Sequence, residues 1–387
     1  MSAVIPVRKD RPVIFLASRY TTGGATLNAR MLAEQFVARG ISAELWCLYR
    51  SADLETTDVP VRVMLDHVPR SPLALGRMVR RFYAAVQGAD PVAVVGFHPL
   101  ANVMGALAAT PHRRFIATQR NTSHSQSTIL RHIEALLGAT SRYHANIAVS
   151  HAVRQTYAHY STAYLDKLTV IPNGLPPLAK LEEGKREARA ALGLPQDGPL
   201  VGNIGRLHPQ KAPEFLLEVA SRIPEVTFVL AGAGPMAAEM ENAVRARGLN
   251  LILPGRLEGQ NVTRLLRSLD LFLFPSRYEG FGRTLLEAMS QGVPVIAHDL
   301  PVTREVLDRH GDFLPLDADR WAACIRNRIA EGCDAAKTER LVTHANSFAL
   351  APMVDRYAAM IFSAPTTERV SRPVPASDDR HNLKAAY

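Results

Sequence analysis

The sequence predicts an α/β protein made of two consecutive domains, each a parallel sheet covered by helices on both faces. Three observations carry that prediction. Short apolar runs alternate with segments of helical pattern, the alternation breaks around residues 172–177, and it then starts again. Hydrophobic residues make up 47% of 387 residues, with Pro and Gly dispersed, so most of the chain is expected in ordinary globular cores.

In the first half, the apolar run 13–17 leads into Gly23-Gly24 and then a helical pattern at 27–39 closed by Gly40. Residues 43–48 form a second strand candidate. Residues 92–96 precede a helix candidate at 99–109, and 114–117 precede a long polar-to-apolar segment. Residues 147–149 and 168–171 complete the series. This half, residues 1–176, is the first domain.

The passage Pro172-Asn173-Gly174-Leu175-Pro176-Pro177 interrupts the rhythm. A charged helix at 180–192 and the turn-rich stretch 193–199 follow, so residues 177–197 read as a junction. The second domain covers 198–347. Its strand candidates are 200–204, 227–231, 251–253, 271–274 and 295–297, and its helix candidates are 213–221, 236–247, 262–268, 283–290 and 320–331. Residues 348–362 read as a terminal helix packing across the junction. Residues 363–387, with Pro365, Pro373 and Pro375 among charged groups, read as a flexible tail.

Composition excludes several function classes. The 45 basic and 36 acidic residues leave a formal charge of +9, which suits anionic partners without choosing among them. No zinc-finger spacing or aromatic-basic strand pattern points to nucleic acid. Cys47, Cys324 and Cys333 form no CxxC pair and no metal site, and their usage fits a reducing cytoplasm. The run 13–18 is too short for a signal peptide or a membrane span.

Three loops carry the chemistry. Gly23-Gly24 after the first strand lets an anion approach the amides of the next helix, or is simply a tight strand-to-helix turn. In the second domain, strand 200–204 runs into Gly205-Arg206-Leu207-His208-Pro209-Gln210-Lys211. Ligands of open parallel sheets bind beyond the carboxyl ends of strands. There Arg206 presents a fork to phosphate oxygens and Lys211 a mobile point charge, and both could stabilise a departing diphosphate. The third loop, Ser276 to Met289, is the most specific. Gly280 and Gly282 permit close backbone approach, and Gly282, Arg283 and Thr284 open an amide-lined helix start. Glu279 precedes that helix and Glu287 lies inside it, so one carboxylate can face a sugar and the other a ribose diol. Phe281 reads as the packing anchor of the loop.

These residues resemble the family 4 retaining glycosyltransferases of the GT-B class over residues 13–362. The matching blocks are Gly23-Gly24-Ala25, Ile171 to Gly174, Gly205-Arg206-Leu207 with Lys211, the Glu-x7-Glu pair Glu279/Glu287, and Gln291 to Ala297. The resemblance implies the GT-B fold: two Rossmann-like domains facing across a cleft, with a terminal helix crossing between them. It implies a nucleotide-diphosphate sugar, UDP- or GDP-linked, held mainly by the second domain, and an acceptor presented by the first. It further implies Arg206 and Lys211 on the diphosphate, Glu287 on the ribose, and Glu279 and His98 near the transferred sugar. Retention of configuration without a metal or other cofactor is part of the same expectation, as is a role in polysaccharide biosynthesis. The chain departs from the family pattern at Thr26, often acidic, at Ala212, commonly glycine, and at His298 to Val306, which lacks a frequent double glycine.

The acceptor side is less specified: a hydroxyl of a glycan, a lipid-linked saccharide or a small molecule. Arg70, Arg77, Arg80 and Arg81 alternate with Leu73, Leu75, Met78, Val79, Phe82 and Tyr83. Such a helix either lays an apolar face on an anionic membrane or packs that face on the core with its arginines in water. The first reading makes the enzyme cytoplasmic with reversible peripheral contact at the inner face of the membrane. A phosphorolytic GT-B enzyme and a non-catalytic nucleotide-sugar binding subunit are the competing functions.

Overall fold

The structure, a computed structural model, describes residues 11–20, 24–51, 57–176, 178, 181–332 and 334–362. Gly23, Lys180, Cys333 and the expected tail lie outside the described residues.

The first domain runs β1 (Val13–Tyr20), α1 (Gly24–Ala38), β2 (Ala43–Arg50), β3 (Val61–Val63), α2 (Pro72–Ala89), β4 (Ala93–Gly96) and α3 (Pro99–Ala108). It continues with β5 (Arg114–Gln119), α4 (Thr128–Gly138), β6 (Ala145–Ala148), α5 (His151–Thr156), α6 (Thr162–Leu165) and β7 (Leu168–Val170). Its seven strands are all parallel, in the order β3-β2-β1-β4-β5-β6-β7. The central strands are apolar because helices cover both faces: β4 is buried throughout, and β1 everywhere but Arg19. Local chemistry sets the helix limits. Ser71 caps α2 by accepting from the Ala74 amide at 3.2 Å, Pro72 occupies the first turn, and Asp90 ends the helix with φ 38°.

The second domain runs α7 (Lys185–Ala191), β8 (Leu200–Ile204), α8 (Pro213–Arg222), β9 (Thr227–Ala231), α9 (Ala237–Arg247), β10 (Leu251–Ile252) and α10 (Gln260–Ser268). Then follow β11 (Leu271–Phe274), α11 (Arg283–Ser290), β12 (Val295–His298), α12 (Pro301–Leu307), β13 (Gly311–Leu314), α13 (Ala318–Glu331), α14 (Ala335–Asn346) and α15 (Leu350–Phe362). Its six parallel strands have the order β10-β9-β8-β11-β12-β13. Helix α7, inside the expected junction, packs on α10, and Arg189 reaches Asp270 at 3.0 Å. It is shorter than the charged helix expected from 180.

The edge strands β3 and β13 and the helices α12 and α14 were not expected from sequence. Both strands lie at a sheet edge and are only partly buried, so their short segments lack the continuous apolar run of a central strand.

The chain crosses between domains twice, side by side. Leu175 donates its amide to the Phe348 carbonyl at 2.8 Å and bridges Ala349. A Cβ at Gly174 would stand 2.6 Å from the Leu350 Cα, so glycine is what lets the two segments touch. Beyond that point α15 returns to the first domain and buries Leu350, Met353, Val354, Tyr357 and Ile361 in the core that holds Val13, Phe15 and Phe36. The domains therefore share a hinge of two adjacent strands and one strap helix.

In both sheets the strand order reverses once, between β1 and β4 and between β8 and β11. Helices leave the two flanking strands there on opposite faces, which opens a crevice at their carboxyl ends. Gly24, His98, the Arg206/Lys211 loop and the Glu279/Glu287 loop each follow one of these four strands.

Candidate active site

The two crevices face each other and enclose one cavity of about 1070 Å³. Its second-domain wall is built from the ends of β8, β9 and β11. After β8, Gly205 keeps an open face: the nearest atom to a Cβ there would be Asn203 Oδ1 at 3.4 Å. Close backbone approach by a ligand therefore explains this glycine better than packing does. Arg206 follows, its Nη2 donating to Gln210 Oε1 at 2.9 Å. A single helical turn, Pro209–Lys211, then swings Lys211 back over the wall, with its Nζ 5.3 Å from the Phe274 ring centroid. That turn ends in Ala212, whose φ of 46° and ψ of 48° are left-handed. The common glycine at this position thus has a conformational cause, and alanine tolerates it at a cost of about 1 kcal/mol.

Lys211 Nζ pairs with Glu279 Oε1, both side chains largely buried. Sequence reading placed these two groups on separate loops and assigned them separate contacts. The fold brings them together, so Glu279 holds the lysine in place. Gly282 starts α11 with φ 81°, and a Cβ there would also meet Leu285 at 2.8 Å. Arg283, Thr284 and Glu287 of this helix line the cavity, and the buried Thr284 hydroxyl has no hydrogen-bond partner among the described residues. An orphaned hydroxyl beside first-turn amides leaves polar capacity for a ligand. Glu287 is 7% exposed and accepts from Arg283 Nε at 2.7 Å. Burial raises its pKa, against the pull of Arg283. Phe281 is buried against Phe348, ring centroids 5.8 Å apart, as expected of an anchor.

Gly280 is where the domains meet. A Cβ would fall 2.0 Å from the Arg120 carbonyl oxygen, and the Gly280 carbonyl accepts from Ser150 Oγ at 2.9 Å. Nearby, the Glu305 carboxylate accepts from the His151 and Ala152 amides at 2.7 and 2.8 Å. The segment 298–306, which departs from the family pattern, is therefore occupied in joining domains and none of it lines the cavity.

The first-domain wall comprises the start of α1, including Gly24, together with Tyr20, Arg30, Ser51, Arg120 and Asn173. Around a Cβ at Gly24 there is open space. His98 caps the start of α3 at the end of β4, and its Nδ1 accepts from the Ser18 amide at 3.2 Å. Burial, then Arg19 and Arg120, lower its pKa to about 3, so the ring is neutral with its proton on Nε2. It is not among the residues lining the cavity.

Sequence reading gave no place in the cleft to Asn173, seen only within the block 171–174, or to Arg120, seen only in a basic group with His112, Arg113 and Arg114; the two meet at 2.6 Å. It missed Gly232 and Gly234. The two glycines let the loop after β9 lie on the β8 loop: Cβ atoms would stand 1.8 Å from the Gly205 oxygen and 2.2 Å from the Leu207 oxygen. The strand-then-Gly-Ala-Gly pattern was the available signal. Arg120 offered only its membership of that basic group.

Residues 22–177 match the family described as Glycosyltransferase Family 4, and residues 184–327 match Glycosyl transferases group 1. The D-inositol 3-phosphate glycosyltransferase of Mycolicibacterium smegmatis is 33% identical over 212 residues, 50% of this chain and 47% of that protein. The Escherichia coli O-antigen biosynthesis glycosyltransferase WclY is 30% identical over 143 residues, 37% of this chain and 40% of that protein. The chain thus spans about half the length of the curated relatives it matches. The crystal structure of Anabaena HepE with UDP and glucose superposes with a TM-score of 0.76 at 21% identity, covering 91% of this chain and 99% of HepE. The sucrose-phosphate synthase of Thermosynechococcus elongatus superposes with a TM-score of 0.75 at 22% identity, covering 90% and 98%. With the paired parallel sheets, the shared crevice and both matched halves in place, the chain belongs to the family 4 glycosyltransferases of the GT-B class.

Proposed function

We propose that this protein is a retaining, metal-independent glycosyltransferase that moves a sugar from a nucleoside-diphosphate sugar to an acceptor hydroxyl. One observation carries the reading: Arg206, Lys211, the α11 start with its unpartnered Thr284 hydroxyl, and Glu287 all face a single cavity. Arg206 and Lys211 neutralise the diphosphate, Glu287 accepts from the ribose hydroxyls, and Glu279 fixes Lys211 near the transferred sugar. The bond from the sugar's anomeric carbon to the donor phosphate breaks, and the acceptor oxygen bonds that carbon from the same face. Its proton passes to the departing phosphate oxygen. His98 stands behind the first-domain wall with its Nδ1 accepting from the Ser18 amide, and takes no direct part in the transfer. The UDP and UDP-glucose complexes of HepE make UDP-sugars the first donors to try, ahead of GDP-sugars.

A glycan acceptor is part of the reading, supported by the O-antigen relative. So is reversible contact with an anionic membrane from the cytoplasmic side. Its support is the α2 and α4 surface. Met78, Phe82 and Val86 of α2 are core residues, but Leu73 and Leu75 are exposed, as are Ile129, Ile133 and Leu136 on α4. The only acid on either helix is the buried Glu134. No helix of the described residues is long and apolar enough to cross a membrane.

The deciding experiment is a binding panel of nucleotide sugars by calorimetry, then product analysis with the tightest donor, with and without EDTA. A nucleoside-diphosphate sugar is expected to bind and its sugar to reach a hydroxyl with the anomer retained. Binding of no member, or inversion, defeats the reading.

A further inference from the structure

The six cations lining the cavity are Arg30, Arg120, Arg206, Lys211, Arg256 and Arg283. Arg30 pairs with Glu34 at 3.1 Å, Arg256 with Glu258 at 2.8 Å, Arg283 with Glu287, and Lys211 with Glu279. Arg206 and Arg120 alone of these six face no carboxylate among the described residues, and they stand on opposite walls. The diphosphate of the proposed donor accounts for Arg206. Nothing yet accounts for Arg120.

Arg120 is partly buried, donates from Nη2 to Asn173 Oδ1, and lies 5.3 Å from the Phe97 ring centroid. Its surroundings desolvate it enough to lower its pKa, although Tyr357 beside it counteracts this. Among the described residues, those of the first domain that line the cavity include no Asp or Glu. Taking a guanidinium with five N–H donors out of water is costly unless an anion and further acceptors meet it. The backbone of Arg120 also abuts Gly280, the neighbour of Glu279, and Arg120 and Glu279 line the same cavity.

We propose that Arg120, oriented by Asn173, is the subsite for an anionic group, phosphate or carboxylate, carried by the acceptor. The proposal rests on the glycosyltransferase reading and narrows its acceptor to one bearing negative charge close to the reacting hydroxyl. The guanidinium fork takes either anion through two parallel hydrogen bonds, which a lysine cannot reproduce.

The test titrates the UDP-saturated chain with inorganic phosphate and, separately, with glucuronate, reading ligand NMR line broadening. Saturable binding of at least one anion is expected, weakened about tenfold in Arg120→Gln and less in Arg120→Lys, with UDP affinity unchanged. Phosphate alone binding assigns a phosphorylated acceptor, and glucuronate alone an acidic sugar. Absence of saturable binding of both anions to the wild type overturns the proposal, whether or not the variants fold. So does equal binding by Arg120→Gln, or a parallel loss of UDP affinity, which would hand Arg120 to the donor. Failure of UDP and every other nucleotide to bind would sink the glycosyltransferase reading instead, and the same anion titration on the free chain still reads the subsite.

Discussion

The two walls of the cleft handle charge in opposite ways. On the second domain, Lys211, Arg256 and Arg283 each have a carboxylate within the cavity, and Arg206 is the exception. On the first domain the cavity wall has, among the described residues, no acid, with a neutral histidine behind it and an arginine paired with no carboxylate. The outer surfaces differ too. Among the described residues, the exposed large hydrophobic side chains lie in the first domain, with the exception of Tyr278. On the proposed function the second wall grips a nucleoside diphosphate, and internal ion pairs hold its side chains in position before the ligand arrives. The first wall, which on the same reading meets the acceptor, leaves its charge and apolar surface for that partner to complete.

This contrast is most directly broken at Arg206 and Lys211. Replacing either by a neutral residue, Arg206→Gln or Lys211→Met, should lower kcat by about a hundredfold or more, the scale of removing one donor to a developing negative charge. Steady-state rates with saturating donor check this, and undiminished kcat in both variants would show that the second wall only binds.

Glu287 sharpens the comparison through pH. Burial holds its pKa above the ordinary value, so the folded state binds this proton more tightly than the unfolded chain does. Ionised Glu287 therefore costs stability, and the cost sets in as pH rises from the unfolded pKa through the folded one. On the proposed function, the hydrogen bonds this carboxylate accepts from the ribose offset that cost. Glu287→Gln should weaken donor binding about tenfold at neutral pH without lowering Tm, and should flatten the loss of donor affinity that the wild type shows on acidification. Calorimetry at several pH values and thermal melts test both halves. A fall in Tm with unchanged affinity would make Glu287 a structural residue.

The smallest expected effect is at the seam. Glu305→Gln keeps the shape but removes the charge that caps α5 across the domain boundary, worth about 1 kcal/mol. Solution scattering should show a slightly more open particle without ligand, with little change once donor is bound. An unchanged free-state profile would mean that the paired strands Leu175/Ala349 and the strap α15 alone hold the walls at their separation.

The central strands and the glycine loops that follow them were legible because their residue types are dictated locally. Residues 271–274 must be apolar to lie between two helical layers, and Gly282 must be glycine because its φ is 81°. The edge strands β3 and β13 escaped because half-exposed pairing imposes no such pattern. Glu134 is a similar case: nothing in its helix distinguishes it, yet it is fully buried among Asn102, Gln119 and Tyr143, which all donate to its carboxyl. Its environment is assembled from residues distant along the chain.

What the sequence determined by itself is the succession of two parallel sheets and the identity of the loops at their switch points, since both follow from hydrophobic period and glycine placement. Only the tertiary structure decided that Lys211 answers to Glu279, that Gly280 seats on the Arg120 carbonyl, and that Arg120 lines the cleft with no carboxylate paired to it among the described residues. Those relations join residues 68 or more positions apart, and no local preference of the backbone encodes which charge will lie across a cavity from which.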